Sequence, residues 1–210
     1  MDISYRPVKK SDYRALKTLI YDAWETHDVI TERETVDEIL DTYLFGSLLK
    51  SNYAQVAEYD GQAVGFLFGR HGGHFRSFLR PDWYVRYLAA QIRMHFSPHG
   101  TLALKMDKIT ARTNKKLKRS HLKHYDGELT LFVVGASYRG LGIGSHLVAG
   151  FHSFLARHRA SSYYLYTDTY STYGFYDARG YRKVAEETVD WEDFQEATPP
   201  RYFIYEYNLA

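Results

Sequence analysis

The sequence predicts a mixed α/β fold, and three stretches carry that expectation. Glu128 to Phe151 passes from a short apolar run (Leu129, Leu131, Phe132, Val133, Val134) through a glycine-rich turn into helical spacing at Ile143, Leu147, Val148, Phe151, Phe154 and Leu155. Tyr53 to Tyr59 and Gln62 to Arg70 are strand-like runs joined by Asp60-Gly61, a dipeptide that signals a two-residue hairpin. Ahead of them, Leu16, Leu19, Ile20, Ala23 and Trp24, then Val36, Ile39, Leu40, Tyr43, Leu44 and Leu48, recur with the period of two amphipathic helices.

In chain order, Ile3 to Pro7 reads as an opening strand. Ser11 is placed to cap a helix running to about Thr26, and Thr31 with Glu34 forms a capping box for a second helix ending near Lys50. The hairpin supplies the second and third strands. Residues 71–126 then separate it from the glycine-rich segment. There Phe78, Trp83, Tyr84, Tyr87, Leu88, Ile92 and Phe96 are helically spaced, Pro98-His99-Gly100 is a break, and Leu102 to about His124 is a cation-rich helix. This segment reads as a helical insertion between the third and fourth strands, a place for acceptor specificity or for the contact of a homodimer. After the central helix come a strand at Ser162 to Thr167, a short helix over about Ser171 to Arg179, and a strand from Tyr181 to Glu186. A loop from Asp190 to Pro200 and a terminal strand, Tyr202 to Asn208, complete the chain.

Composition narrows the function classes. A chain of 210 residues with 45% hydrophobic and 25% charged residues can bury a core, and it reads as one domain, 1–210. A net charge of +2 is too small to demand a nucleic acid or a membrane surface. With no Cys there is no disulfide, thiolate metal site or cysteine nucleophile. Neither an apolar leader nor a run of about 20 apolar residues is seen, so the expected location is cytoplasmic. Eight cations (Lys105, Lys108, Arg112, Lys115, Lys116, Lys118, Arg119, Lys123) face only Asp107 between positions 105 and 123. A solvated helix face explains them, and a site for nucleic acid or another anion is the alternative. The His71/His74 and His121/His124 pairs lack a metal-binding pattern, so no metal is expected.

Glycines where a strand turns into a helix prepare an anion site, because unpaired N–H groups and the helix dipole meet there without β-carbons in the way. A P-loop would need Lys after Gly144, where Ser145 stands, and a dinucleotide fingerprint would need Gly at that same position. Arg139, Gly142 and Gly144 instead match Arg or Gln, two residues, Gly, one residue, Gly or Ala. Downstream, Tyr176, Gly180 and Tyr181 fit Tyr, three residues, Gly and an aromatic. Together, in this order and at this distance, the two motifs resemble those of the GNAT superfamily of acyl-CoA-dependent N-acetyltransferases. The resemblance is loose over residues 1–70 and good over 127–186.

The resemblance implies a central, mostly antiparallel twisted sheet flanked by helices. It implies transfer of an acetyl group from acetyl-CoA to a primary amine by direct attack in a ternary complex, without a metal. Arg139, Gly140, Leu141, Gly142, Ile143, Gly144 and Ser145 would hold the pyrophosphate of coenzyme A. The backbone of Val133 and Val134 would pair with its pantetheine arm. Thr169 stands where many relatives carry an Asn that contacts the coenzyme, and Tyr173 lies one helical turn before Tyr176. Tyr176 would protonate the leaving thiolate. Glu128 would help deprotonate the amine, with Asp126 as the neighbouring alternative. The acceptor, a small molecule or a peptide, is not specified; Glu25, Asp28, Glu32 and Glu34 could attract a cationic one. Two other readings remain: an acyl-CoA-binding sensor or interaction module without catalysis, and a nucleic-acid-associated protein using residues 105–123.

Overall fold

The Asp60-Gly61 turn sets the register of half the sheet. A computed structural model describes residues 2–24, 32–72, 80–121, 123–189 and 199–209. Asp60 (φ 49°) and Gly61 (φ 75°) are both left-handed, the conformation that matches the twist of a tight hairpin. They join β2 (Tyr53–Tyr59) to β3 (Gln62–His71). Outside this pair lie β1 (Ser4–Pro7) beside β2 and β4 (Gly127–Val134) beside β3. Next come β5 (Ser162–Asp168), β6 (Arg182–Thr188) and β7 (Arg201–Asn208), giving a seven-stranded order β1-β2-β3-β4-β5-β7-β6. Every neighbouring pair is antiparallel except β4–β5. The mostly antiparallel mixed fold is therefore the one expected.

Alternation along the strands divides the core between two faces. Val56, Phe66, Phe68, Leu131 and Val133 meet Leu16 and Ile20 of α1 (Tyr13–Trp24) and Leu44, Phe45 and Leu48 of α2 (Arg33–Leu49). Leu67, Leu129, Tyr163 and Leu165 meet Leu147, Phe151 and Leu155 of α5 (Ile143–Arg157) on the other face. Each such side chain contributes roughly 1.5–3 kcal/mol by leaving water. The insertion contains α3 (Pro81–Met94), packed on α2, and α4 (Gly100–Ser120), packed on β6 and β7. Leu117 of α4 shares a cluster with Tyr164, Tyr202 and Ile204. A one-turn helix, α6 (Gly174–Asp177), leads into β6. No helix among the described residues is long and apolar enough to cross a membrane.

Several element ends differ from expectation, each for an electrostatic or hydrogen-bonding reason. Ser11 does not cap α1: a 3-10 turn, Lys10–Asp12, precedes it. There the Asp12 carboxylate accepts the Lys9 amide at 2.7 Å and Arg6 at 2.7 Å, a charged acceptor in place of the hydroxyl. Glu32 precedes α2; Thr26 and Thr31 lie outside the described residues. The helix expected to reach His124 stops at Ser120, and the chain then delivers Lys123 and Tyr125 to Glu206. α6 is shorter than Ser171 to Arg179 because Asp168 gathers the Tyr170 and Ser171 amides into a turn before it.

Glu206 is a buried charge on β7, with its carboxylate fully covered. Burial alone would raise its pKa. Hydrogen bonds from Arg182, Lys123 (3.0 Å) and Tyr125 (2.8 Å) outweigh that and hold it down at about 2. A carboxylate depressed in the folded state contributes stability above its unfolded value, about 4.3, and loses it as pH falls toward 2. Glu206→Gln is expected to cost about 2 kcal/mol at neutral pH, since its cationic partners can turn to water. Chemical denaturation at neutral pH and again near pH 3 should show the gap between variant and wild type shrinking in acid.

Candidate active site

The site begins with one extra residue in β4. Phe68 of β3 pairs with Leu131 and Gly69 with Leu129, so Thr130 has no partner and forms a bulge. Its hydroxyl lies 2.6 Å from that of Ser51, which donates to the Ser47 carbonyl at 2.7 Å. At the same point β4 leaves β5. Gly127, Glu128 and Leu129 pair with Tyr163, Tyr164 and Leu165, and the ladder goes no further. The remaining half of β4 opens onto a cleft of about 1440 Å³, lined by Leu129 to Val134 among others.

The N-terminus of α5 faces that cleft. Gly140 (φ 78°) and Gly142 (φ 80°) are left-handed, and a β-carbon on either would meet nothing within 4 Å. Backbone conformation, not space, requires glycine there. The first N–H groups of α5 have no intrahelical acceptor and lie at the positive end of the helix dipole. Gly144 is held closely, since a β-carbon would come within 3.1 Å of both Phe132 and Phe175. Two arginines flank this end. Arg139 donates to the Val134 carbonyl at 3.3 Å, and Arg179 donates to the Ser145 hydroxyl at 2.7 Å while its guanidinium lies 3.8 Å from the centre of the Phe175 ring.

Tyr176 and Glu128 line the same cleft. Tyr176 is only 8% exposed, backed edge-on by Phe175 and Tyr181. Burial first, then the neighbouring Tyr181 and Asp168, pushes its hydroxyl far above the usual phenol range, so it remains a proton donor. Asp168 is itself raised by burial, although the Ser171 and Tyr170 bonds offset this in part. Glu128 accepts from Arg70 Nε at 2.9 Å and from the Tyr164 hydroxyl at 2.7 Å. Both bonds end on Oε2.

Of the other expected residues, Val133, Val134, Arg139, Gly140, Gly142, Ile143, Gly144 and Ser145 line the cleft. Leu141, Thr169 and Tyr173 are not among its lining residues. Leu141 is 54% exposed, the Thr169 hydroxyl accepts the Arg201 amide at 3.2 Å, and the Tyr173 ring packs on Phe203. Asp126 is spent on a turn: its Oδ2 accepts the Ser161 amide and hydroxyl, each at 2.7 Å, and these bonds lower its pKa. Among the described residues no group of three or more His, Asp or Glu is placed to hold a metal ion. The sequence reading missed Arg70, Tyr164, Asp168 and Arg179. Arg179 alone had a sequence signal, being the cation just before Gly180.

The family model described as Acetyltransferase (GNAT) family matches residues 16–181. The chain belongs to this family, whose members use acetyl-CoA, and it is an acyltransferase. Comparison with curated protein sequences yields no match. Solved structures share the fold. SsHAT superposes with a TM-score of 0.65 at 15% identity, covering 100% of both chains. A PaiA N-acetyltransferase from Thermoplasma acidophilum, solved with coenzyme A, gives 0.56 at 14% identity over 99% of each chain. A GNAT-family protein from Desulfovibrio desulfuricans, described as a putative acetyltransferase, gives 0.56 at 12% identity over 100% of both.

Because Gly142 is left-handed without crowding, Gly142→Ala isolates the backbone cost, expected at about 1 kcal/mol. A melting temperature no lower than that of wild type would contradict this conformation.

Proposed function

We propose that this protein is an N-acetyltransferase, with one catalytic domain over residues 1–210 and an insertion at about 71–126. It moves the acetyl group of acetyl-CoA to a primary amine by direct attack in a ternary complex. One observation carries the reading: the gap between β4 and β5, the N-terminus of α5 and the Tyr176 phenol all face one cleft. At about 1440 Å³ the cleft exceeds the roughly 300–1,000 Å³ of a single small-molecule site, which suits two substrates held at once.

Acetyl-CoA supplies the activated thioester; the chain positions it and moves protons. The α5 amides and Arg139 take the pyrophosphate, with Leu141 at the rim, and Arg179 adds a second cation beside Ser145. Backbone groups of Val133 and Val134, released from β5, hold the pantetheine arm. Thr169 and Tyr173 support the wall around this arm from behind. Glu128 takes a proton from the acceptor's ammonium, directly or through water, so that nitrogen can attack. As the N–C bond forms and the C–S bond breaks, Tyr176 gives its proton to the sulfur, and the second proton lost by the nitrogen restores the phenol through water. The nucleic-acid alternative draws on residues 105–123, but Lys116, Lys118 and Lys123 are engaged with Glu187, Tyr164 and Glu206.

Calorimetric titration with acetyl-CoA tests the donor half. Micromolar binding is expected for wild type and its loss for the Arg139→Ala, Gly142→Asp double variant; no binding by folded wild type would overturn the reading. Tyr176→Phe should lower kcat about 100-fold with acetyl-CoA affinity retained. Because burial raises the Tyr176 phenol, kcat should stay flat on the alkaline side to about pH 10. A fall centred near pH 8 or 9 would assign the acid to another group.

A further inference from the structure

The insertion and α2 wall a part of the cleft that the acetyl-transfer groups leave unused. Tyr43 of α2, Tyr87 of α3 and Asp107 of α4 all line it. Gly46, one turn beyond Tyr43, brings the two helices close: a β-carbon there would come within 3.2 Å of the Tyr87 ring. Tyr87 is thereby laid against the backbone of α2. The exposed surface of Tyr43, 37% of its total, faces this cleft.

Asp107 is the carboxylate that α4 brings to this wall, where Lys115 and Lys118 further along α4 and Lys50 at the end of α2 also line the cleft. It is exposed to the cleft and forms no hydrogen bond or ion pair among the described residues. Its negative field reaches the hydroxyls of both Tyr43 and Tyr87. The field of Asp168 reaches Tyr43 as well as Tyr176, and these three residues and Asp107 all line the one cleft. Two turns along α4 from Asp107, Asn114 also faces the cleft, and its side-chain oxygen is buried without a donor. Two of the cleft's cations are committed at Glu128: Arg70 is bound to that carboxylate and Lys118 to the Tyr164 hydroxyl. Glu25 and Asp28 lie outside the described residues, Glu32 pairs with His99 at 3.0 Å, and Glu34 does not line the cleft.

A free carboxylate beside electron-rich phenol rings attracts an organic cation through both charge and the ring faces. We propose that the acceptor is an amine with a second cationic group, in its simplest form an α,ω-diamine. Asp107, beside Tyr43 and Tyr87, holds the distal ammonium while the other amine is presented to Glu128 and Tyr176. This rests on the acetyltransfer reading above and names its acceptor class.

The test compares acceptors that differ only at the far end: 1,5-diaminopentane, n-pentylamine and 5-aminopentanoate, with an octyl series of the same three end groups. Thiol release from acetyl-CoA gives kcat/KM for each. The wild type is expected to prefer the diamine over the monoamine about tenfold in at least one series, with the amino acid poorest. Asp107→Asn should bring diamine and monoamine near parity, and Asp107→Lys should favour the amino acid. Lys108→Ala, on the same helix but outside the cleft lining, should keep the wild-type order, and acetyl-CoA affinity reports that each variant is folded. Absence of discrimination in both series, preference for the amino acid by wild type, or a diamine preference that survives Asp107→Asn would overturn the proposal. If folded wild type fails to bind acetyl-CoA, the acetyltransfer reading falls. Direct calorimetric titration of the diamines into wild type and Asp107→Asn then decides the anchor, and equal binding or none would overturn it.

Discussion

The site depends on a single residue without a partner in the middle of the sheet. Thr130 is the extra residue of β4, and its bulge has two consequences. It reverses the inside–outside alternation, so Leu129 packs with α5 whereas Leu131 and Val133 pack with α1 and α2. It also bends the strand where pairing with β5 ends. A regular β4 would continue the parallel ladder and close the gap. Ser51, 3% exposed and joined to the Thr130 hydroxyl, holds the distortion from the α2–β2 turn. The opening is thus enforced by packing on both faces of the sheet.

An opening alone would admit water and leave a tyrosine unremarkable. Aromatic packing changes that. Tyr176 lies against Tyr181 and Tyr205, and Tyr181 is hydrogen-bonded to Tyr163 at 2.5 Å, which in turn meets His152 at 2.8 Å. The Tyr205 hydroxyl donates to Asp177, tying the one-turn helix that carries Tyr176 to the terminal strand. Part of the high tyrosine content is therefore a rigid backing for one phenol. The Tyr163 and Tyr181 hydroxyls pair with each other, Tyr163 also with His152, and Tyr205 with Asp177, so these hydroxyls are buried with partners.

What the sequence disclosed and what it concealed divide along contact range. The Asp60-Gly61 hairpin, the strand–turn–helix at Glu128 to Phe151 and the Tyr176–Tyr181 motif rest on neighbours a few residues apart, and each is found in place. The bulge at Thr130 left no trace, because it is defined by register against β3, about sixty residues earlier in the chain. Glu128 was readable as a carboxylate at a strand start, but its bonds to Arg70 and Tyr164 exist only once three strands are assembled. Thr169 matched a family position by spacing, yet its hydroxyl is taken by β7, whose pairing no local pattern announces. Helix ends slipped for the same reason: Asp12, Asp168 and Glu206 drew backbone or side chains toward charges that the local pattern does not reveal.

The cleft also divides its labour between two kinds of chemistry. The half proposed to hold the coenzyme is built from backbone: amides at a helix start, a strand released from its neighbour, and glycines fixed by φ angle. Such a half tolerates side-chain change as long as the turn and the bulge survive. The other half is side chains carried by α2 and the insertion, with tyrosine rings and a carboxylate on helices rather than on the sheet. α4 is anchored by Leu117 to the β6–β7 end, so its inner face is fixed relative to Tyr176 and Glu128 through the same strands that position them. A substitution on that face changes which cation or anion the wall attracts without disturbing the strand gap. On the proposed reading, selectivity for the acceptor can therefore vary independently of the groups that hold the acetyl donor.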